Sequence, residues 1–280
     1  MLKVLKPGFY TTLQDQGRFG HRNKGVPVSG VMDAYSAANA NAMLENDPND
    51  AVLEITMTGP VLEFTEETTI CLTGALMSPE LNGQSVNNLE IIQVKTGDVL
   101  SFGTLVKGLR TYLGIKGGFL LDEVLGSRSY YHPVTEHKCI TENMQLAYVP
   151  HPDFTPKLIQ AKMDNFLDEF ILEATKGPEF DLLGKKEAGL PFSKEFTISK
   201  ENNRMGYQLN EKLSVHTKSM LTSATLPGTV QLTPSGRIII LMKDGQTTGG
   251  YPRVLNLTPA AINILAQKRM GDKIKFALLQ

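Results

Sequence analysis

Short runs of apolar and β-branched residues, each bounded by Gly, Pro, Asn or Asp, recur along most of this chain. Such runs are typical of strands joined by tight turns. They predict strands at residues 2–5, 52–56, 69–72, 91–94, 99–102, 110–115, 170–173, 196–198, 229–232, 238–242 and 274–278. The pattern therefore favours a mainly β protein with a barrel or sandwich architecture.

Two segments carry helix signals instead. Asp33 is placed to cap a helix over residues 34–44, an alanine-rich stretch that a Pro-containing turn ends. Thr258 is placed to cap a second helix over residues 259–268, where a proline takes the first helical position. The chain is thus expected to add only a few short helices to its strands.

Similar segments occur twice along the chain. The pairs are 54–64 with 172–180, and 97–102 with 271–276. The alternative is chance recurrence of Gly-Pro and Gly-Asp turns, which are common in β proteins. We expect two related lobes, 1–150 and 151–280, with a cleft between them and with strands that can be exchanged between lobes. The polar stretch 150–156 is the best candidate for the linker.

Composition narrows the class of protein. The 280 residues include 28 basic and 29 acidic ones, so no charge excess favours nucleic acid or an anionic membrane. Only two cysteines occur, which fits a reducing compartment, and Cys71 lies in an apolar run typical of a core. The longest apolar run, 238–242, is too short to cross a bilayer, and the N-terminus lacks a signal-peptide pattern. These features predict a cytoplasmic protein.

Standard catalytic and nucleotide motifs are absent from the sequence. There is no G-x-S-x-G elbow, Walker A loop, Rossmann fingerprint or H-E-x-x-H. His132 and His137 form the closest histidine pair but lack further ligands nearby, so no metal site is predicted. We also expect no cofactor bound through a recognisable motif in this chain.

Polar side chains beside glycines mark the first candidate site, within residues 11–33. Gln14, Asp15, Arg18, Ser29 and Asp33 supply donors and acceptors that can orient a small polar molecule. The alternative is that these residues have structural roles. Asp15 and Arg18 can pair with each other, and Asp33 can simply cap its helix.

Three further segments have the same character. They contain Arg128, Arg204, and the loop residues Asp244, Gln246, Thr247, Gly249, Gly250 and Tyr251. The alternative for Arg128 and Arg204 is a structural role, in which each arginine hydrogen-bonds backbone carbonyls and so holds its loop in place. The loop follows an apolar strand and has two glycines among uncharged polar groups, so we expect it to face a ligand. Glu54 lies among apolar neighbours and would need an arginine partner or a place in the cleft.

A family resemblance joins these segments. The chain contains, in this order, TTLQDQGRFGHRNKGVPVSGVMDAYSAANANAML, LEITMTGPVLEF, GLRTYLGIKGGF, VLGSRS, NRMGYQL, LPGTVQLTPSG and DGQTTGGYPRV. This combination resembles the carboxyltransferase subdomain C/D family, also called allophanate hydrolase subunit 2. The family includes the C-type subunit of 5-oxoprolinase and biotin-dependent carboxyltransferase proteins. The resemblance implies cyclophilin-like β-barrel lobes.

The resemblance also implies a function. It implies a subunit of an ATP-dependent 5-oxoprolinase complex, a hydrolase that opens 5-oxo-L-proline to L-glutamate and works only with partners. The implied partners are an A/B-type carboxyltransferase subunit, like the kinase inhibitor, and a LamB/YcsF-type subunit, and the complex uses ATP. Two alternatives stay open: the carboxyltransferase half of a urea carboxylase-like (urea amidolyase-related) enzyme with biotin on a separate carrier, and a non-catalytic antagonist of a histidine-kinase inhibitor.

Both enzymatic alternatives pose one chemical problem, since each activates an amide or ureide group. An oxygen that gains negative charge must meet donors already in place. We expect such donors to be Arg18, Arg128, Arg204, Gln246 and the backbone N–H groups of the Gly-Gly turn. We expect Asp15 or Asp244 to accept a proton or fix a substrate N–H. The candidate catalytic residues are Asp15, Arg18, Asp244 and Gln246. The candidate substrate-binding residues are Gln14, Ser29, Asp33, Arg128, Arg204, Thr247, Gly249, Gly250 and Tyr251.

Overall fold

The computed structural model describes residues 1–162, 166–218 and 220–279. Their contacts group into two compact units. The first unit comprises Met1–Arg18 and Ser29–Leu167, and the second comprises Phe19–Val28 and Asp168–Gln280. The lobe boundary expected near residue 150 stays a prediction.

The first unit is built mainly from antiparallel strands. They are β1 (Leu2–Lys6), β2 (Tyr10–Gln14), β3 (Val52–Thr56), β4 (Val61–Phe64), β5 (Thr68–Leu76), β6 (Pro79–Leu81), β7 (Gln84–Ser85), β8 (Ile91–Val94), β9 (Val99–Phe102), β10 (Lys107–Ile115) and β11 (Gln145–Leu146). One sheet has the order β11-β1-β4-β9-β6-β7 and the other β2-β3-β10-β5-β8. Side chains of both sheets, such as Phe64 and Leu113, belong to a single buried cluster. The two sheets therefore share one hydrophobic core.

Helix α1 (Ala34–Met43) packs against β5 and β10. The Asp33 carboxylate accepts hydrogen bonds from the backbone N of Ser36 at 3.0 Å and from its hydroxyl at 2.6 Å, which caps the helix as predicted. Small side chains permit a close approach, because a Cβ at Gly114 on β10 would lie only 3.2 Å from the Ala40 Cβ of the helix. The helix thus fixes the end of the polar segment that precedes it.

The second unit is a closed barrel with short helices. Its elements are β12 (Ile171–Lys176), α2 (Gly184–Glu187), α3 (Leu190–Ser193), β13 (Phe196–Asn202), β14 (Gly206–Leu209), β15 (Ser223–Ala224), β16 (Thr229–Leu232), β17 (Ile238–Leu241), β18 (Thr248–Gly249), β19 (Arg253–Leu257), α4 (Pro259–Ala266) and β20 (Lys273–Leu278). The barrel order is β12-β19-β16-β17-β14-β13-β20, and β12 closes it by pairing parallel to β20. Phe196 and Phe276 meet edge to face in its interior, with ring centroids 5.5 Å apart.

Most sequence predictions of the fold are confirmed. The chain is mainly β, with a barrel and sheets, and α4 begins at Pro259 with Thr258 as its cap. Cys71 is a buried free thiol, and burial raises its pKa to about 12. No helix formed by the described residues is long and apolar enough to cross a membrane.

Candidate functional site

Asp15 lies directly after β2 and holds a distant turn of the first unit. Its buried carboxylate accepts hydrogen bonds from the hydroxyls of Ser127 at 2.7 Å and Ser129 at 2.6 Å. It also accepts from the backbone N of Arg128 at 2.6 Å and of Gly17 at 2.8 Å. Four donors occupy this carboxylate, so the serines of the VLGSRS motif serve to lock Asp15 in place.

Arg18 and Arg128 belong to the same arrangement. The fully buried Arg18 side chain donates from Nε to the Val124 carbonyl at 2.9 Å and from Nη2 to the Ser129 carbonyl at 2.8 Å. Arg128 pairs with Glu123 at 2.9 Å and is partly exposed. The structure thus brings Asp15, Arg18 and Arg128 together. Asp15 and Arg18 each hydrogen-bond the segment 124–129 instead of forming the direct pair named as their structural alternative.

Gln14 and Ser29 differ in how their polar groups are satisfied. Gln14 lies on β2 and donates from Nε2 to the Thr12 hydroxyl at 3.0 Å and to the Tyr130 carbonyl at 3.2 Å. Ser29 is buried with a backbone φ of 56°, and its hydroxyl has no partner among the described residues. A non-glycine residue in this left-handed region is strained, and such strain clusters at functional sites. Ser29 therefore keeps its place as a candidate ligand group.

A buried network supports the segment that ends at Asp33. The register of β3 with β10 sets Glu54 opposite Tyr112, whose hydroxyl donates to Glu54 Oε2 at 2.9 Å. The same oxygen accepts from the backbone N of Met32 at 2.7 Å, and Arg110 lies 3.7 Å from Oε1. The arginine partner expected for Glu54 is therefore confirmed. Burial, with the nearby Glu54 charge as a second cause, raises the pKa of Tyr112 well above its usual value.

In the second unit, Arg204 and Asp244 form a buried bidentate pair. The Nε–Oδ2 distance is 2.8 Å and the Nη2–Oδ1 distance is 3.1 Å. Both carboxylate oxygens of Asp244 accept from this guanidinium, and its backbone N donates to the Arg204 carbonyl at 2.9 Å. The pair anchors the beginning of the polar loop 243–252, which is a structural role.

The rest of that loop is tied through its backbone. Residues Thr248–Gly249 form the short strand β18, which pairs with β15. The Thr247 carbonyl accepts from the backbone N of Thr225 at 3.0 Å, and the Gln246 carbonyl accepts from the Thr225 hydroxyl at 2.5 Å. The side chains of Gln246 and Tyr251, and the backbone of Gly250, remain exposed. The loop is therefore held in shape while part of its surface stays open.

Two amide side chains meet over Gly249, and we call Gln231, Gln246 and Gly249 the amide cluster. Gln246 Nε2 donates to Gln231 Oε1 at 3.4 Å. A Cβ at Gly249 would lie 2.4 Å from Gln231 Nε2 and 2.8 Å from Gln246 Nε2, so only glycine fits there without displacing the amides. Gln231 Nε2 is buried and has no partner among the described residues. The cluster thus retains an unused donor.

Arg22 adds a cation to the amide cluster. It lies in a 3-10 helix, Arg22–Lys24, and its Nη2 donates to the carbonyls of Thr225 and Gln246, the latter at 3.5 Å. Its Nη1 is buried without a partner among the described residues, and burial lowers its pKa. Sequence reasoning missed Arg22 and Gln231. The available signal for Arg22 was its place in the glycine-flanked segment that already supplied Arg18.

Comparison with known proteins gives the same carboxyltransferase class as the motifs. Residues 24–278 match the family described as carboxyltransferase domain, subdomain A and B. The motif resemblance had named subdomain C/D, so the two agree on the carboxyltransferase class and differ in the subdomain letters. The match covers most of the chain, including both units.

Individual relatives agree with this match. The C-type subunit of 5-oxoprolinase from Escherichia coli (strain K12) is 32% identical over 286 residues, which cover 99% of this chain and 90% of that subunit. The urea amidolyase of Saccharomyces cerevisiae is 28% identical over 316 residues, covering 99% of this chain but 16% of that enzyme. The crystal structure of K. lactis urea amidolyase has a TM-score of 0.88 and 30% identity, covering 100% of this chain and 19% of that one. The chain therefore belongs to the carboxyltransferase domain family.

Proposed function

We propose that this chain is one subunit of an ATP-dependent 5-oxoprolinase complex that opens 5-oxo-L-proline to L-glutamate. The observation that carries the proposal is the 32% identity to the C-type subunit of E. coli 5-oxoprolinase, which spans 99% of this chain and 90% of that subunit. A relative of nearly the same extent is a closer functional guide than a large enzyme of which the chain covers a small part.

The reaction breaks the C–N bond of a lactam. Water supplies a hydroxyl to the carbonyl carbon and a proton to the nitrogen, while ATP and a second water yield ADP and phosphate. Charge develops on the lactam oxygen, and donors already in place lower that barrier. The exposed side chain of Gln246 and the exposed backbone of Gly250 are available for this role in the second unit.

The complex requires other subunits in this proposal. No nucleotide motif is present in the sequence, so we assign ATP use to the assembled complex. The proposed partners are an A/B-type carboxyltransferase subunit and a LamB/YcsF-type subunit, and the proposed location is the cytoplasm. The roles of Asp15 and Asp244 in this proposal are to hold loops, because each carboxylate is occupied by donors.

Reconstitution tests the proposal directly. Purified chain, the two partner subunits, ATP and 5-oxo-L-proline should yield glutamate and ADP, and omission of this chain should stop both. Gln246→Ala should reduce turnover about ten-fold or more by removing a transition-state donor. A folded, assembled complex that hydrolyses no 5-oxo-L-proline would contradict the proposal.

A second candidate is supported by the similarity to K. lactis urea amidolyase at a TM-score of 0.88. In that case the chain would transfer a carboxyl group from carboxybiotin on a separate carrier to urea. The same preparation, supplied with a carboxybiotinylated carrier domain and urea, distinguishes the two. Loss of the carboxyl group from the carrier only when urea and this chain are both present would favour the second candidate.

A further inference from the structure

Arg22 differs from Arg204 and Arg253 of the second unit in what it bonds. Arg204 has Asp244 and Arg253 has Glu179, each as a bidentate carboxylate partner. Arg22 bonds only the carbonyl oxygens of Thr225 and Gln246 among the described residues. A partly buried guanidinium without a carboxylate carries an uncompensated charge, which costs free energy unless an anion joins it.

Two buried donors are also left unused on the two residues that hydrogen-bond Gln246. They are Nη1 of Arg22 and Nε2 of Gln231, and neither has a partner in the part of the chain that the structure describes. Gln246 links them, since its carbonyl accepts from Arg22 and its side chain donates to Gln231. Unsatisfied buried donors are rare in folded proteins and call for an unseen acceptor.

The chemistry of the missing group follows from these donors. Two N–H groups and one positive charge are matched by a group that only accepts hydrogen bonds and carries negative charge. A carboxylate meets both requirements with its two oxygens. A neutral amide or urea meets neither requirement, because it brings donors of its own and carries no charge.

We propose that Arg22 Nη1 and Gln231 Nε2 bind the carboxylate of a small amide-bearing acid beside Gly249. This inference rests on the proposed function and deepens it, because 5-oxo-L-proline carries one carboxylate next to its lactam. The subsite would therefore fix the substrate by its carboxylate and leave the lactam for the remaining donors of the loop. Urea has no carboxylate and would leave the subsite unfilled.

The test compares 5-oxo-L-proline with 2-pyrrolidinone, the same lactam without the carboxylate. In the reconstituted complex, Arg22→Gln should raise KM for 5-oxo-L-proline by about 30-fold, the order expected for a lost charge-assisted hydrogen bond. The weaker activity on 2-pyrrolidinone should be unchanged by the same substitution. Lys24→Gln is the matched control, because this exposed cation lies in the same 3-10 helix and should leave both values as in the wild type.

A second pair of variants keeps the proposal testable if Arg22→Gln does not fold. Gln231→Glu should weaken the action on 5-oxo-L-proline more than Gln231→Met does, because it adds like charge against the carboxylate. Circular dichroism identifies any variant that does not fold. Equal KM values for wild type and a folded Arg22→Gln complex would overturn the carboxylate subsite while leaving the oxoprolinase activity established.

Direct binding separates the inference from the proposed function. Titration of the full chain with 5-oxo-L-proline, followed by NMR of the glutamine side-chain amides, should show saturable shifts that Arg22→Gln removes and Lys24→Gln retains. Binding with this pattern in a chain whose complex has no 5-oxoprolinase activity would support the subsite and reject the reaction. Absence of saturable shifts, or shifts equal in Arg22→Gln, would overturn the subsite.

Discussion

The polar groups around Asp15 and those around Gln246 look alike in sequence but differ in how they are used. Around Asp15, four donors converge on one carboxylate and link the end of β2 to the turn 127–129. Around Gln246, the amide cluster and Arg22 leave two buried donors without partners among the described residues. Satisfied groups hold a fold, whereas unsatisfied ones indicate a ligand.

This difference gives separate expectations for stability and activity. Changes near Asp15 should act on the free energy of unfolding, because they break bonds that are already made within the chain. Changes in the amide cluster should act on substrate handling, because its unused donors contribute little to stability.

Asp15→Ala should lower the free energy of unfolding by about 3–5 kcal/mol, because it leaves buried donors of Ser127, Ser129 and Arg128 unpaired. Urea denaturation followed by circular dichroism measures the change. Asp15→Asn keeps the shape and should cost less, since the amide still offers one acceptor oxygen. A fully stable Asp15→Ala variant that lacks only activity would show that Asp15 acts on substrate instead.

Gly249→Ala should reduce kcat/KM of the complex about ten-fold while changing stability by less than about 1 kcal/mol. The new Cβ would displace the amides of Gln231 and Gln246, which are the ends of flexible side chains. Gly250→Ala is the matched control, because its Cβ would meet nothing nearer than the Met220 carbonyl at 4.0 Å. Equal activities of the two variants would show that the amide cluster takes no part in substrate handling.

Strands and caps could be predicted because their signals are local. Four predicted strands, 52–56, 91–94, 99–102 and 229–232, have the observed bounds, and both capped helices begin where predicted. The polar strand β2 was missed, since the residues of Tyr10–Gln14 suggested ligand contacts and not a buried edge of a sheet. Its threonines and Gln14 are buried because neighbouring loops satisfy them, which no local pattern indicates.

The candidate site was predicted only in part for the same reason. The loop residues Gln246, Thr247 and Gly249 stood out through composition. In the structure, Gln246 hydrogen-bonds the Gln231 side chain, and Gly249 lies beside both amides. Arg22 lies far from that loop in sequence, and Gln231 lies on β16, separated from the loop by β17. Both show their importance only through atoms that lack partners among the described residues. The pairing of Arg22 with the loop spans more than 200 residues and depends on the fold, so residue type and spacing do not reveal it.

Glu179→Gln should have the smallest effect and should depend on pH. Arg253 hydrogen-bonds Glu179 and lowers the pKa of that carboxyl, so the ionised form stabilises the fold. This contribution is present above the unfolded-state pKa, about 4.3, and is lost as the pH falls through the lowered folded-state pKa. Glu179→Gln should lower the free energy of unfolding by about 1 kcal/mol at pH 7 and leave it unchanged below the folded-state pKa, as measured by urea denaturation across pH.

Arg22→Gln removes a cation with no carboxylate partner among the described residues, so it should not lower the free energy of unfolding in this way at pH 7. An equal decrease in the free energy of unfolding in both variants would contradict the distinction between Arg253, which has a carboxylate partner, and Arg22, which has none among the described residues.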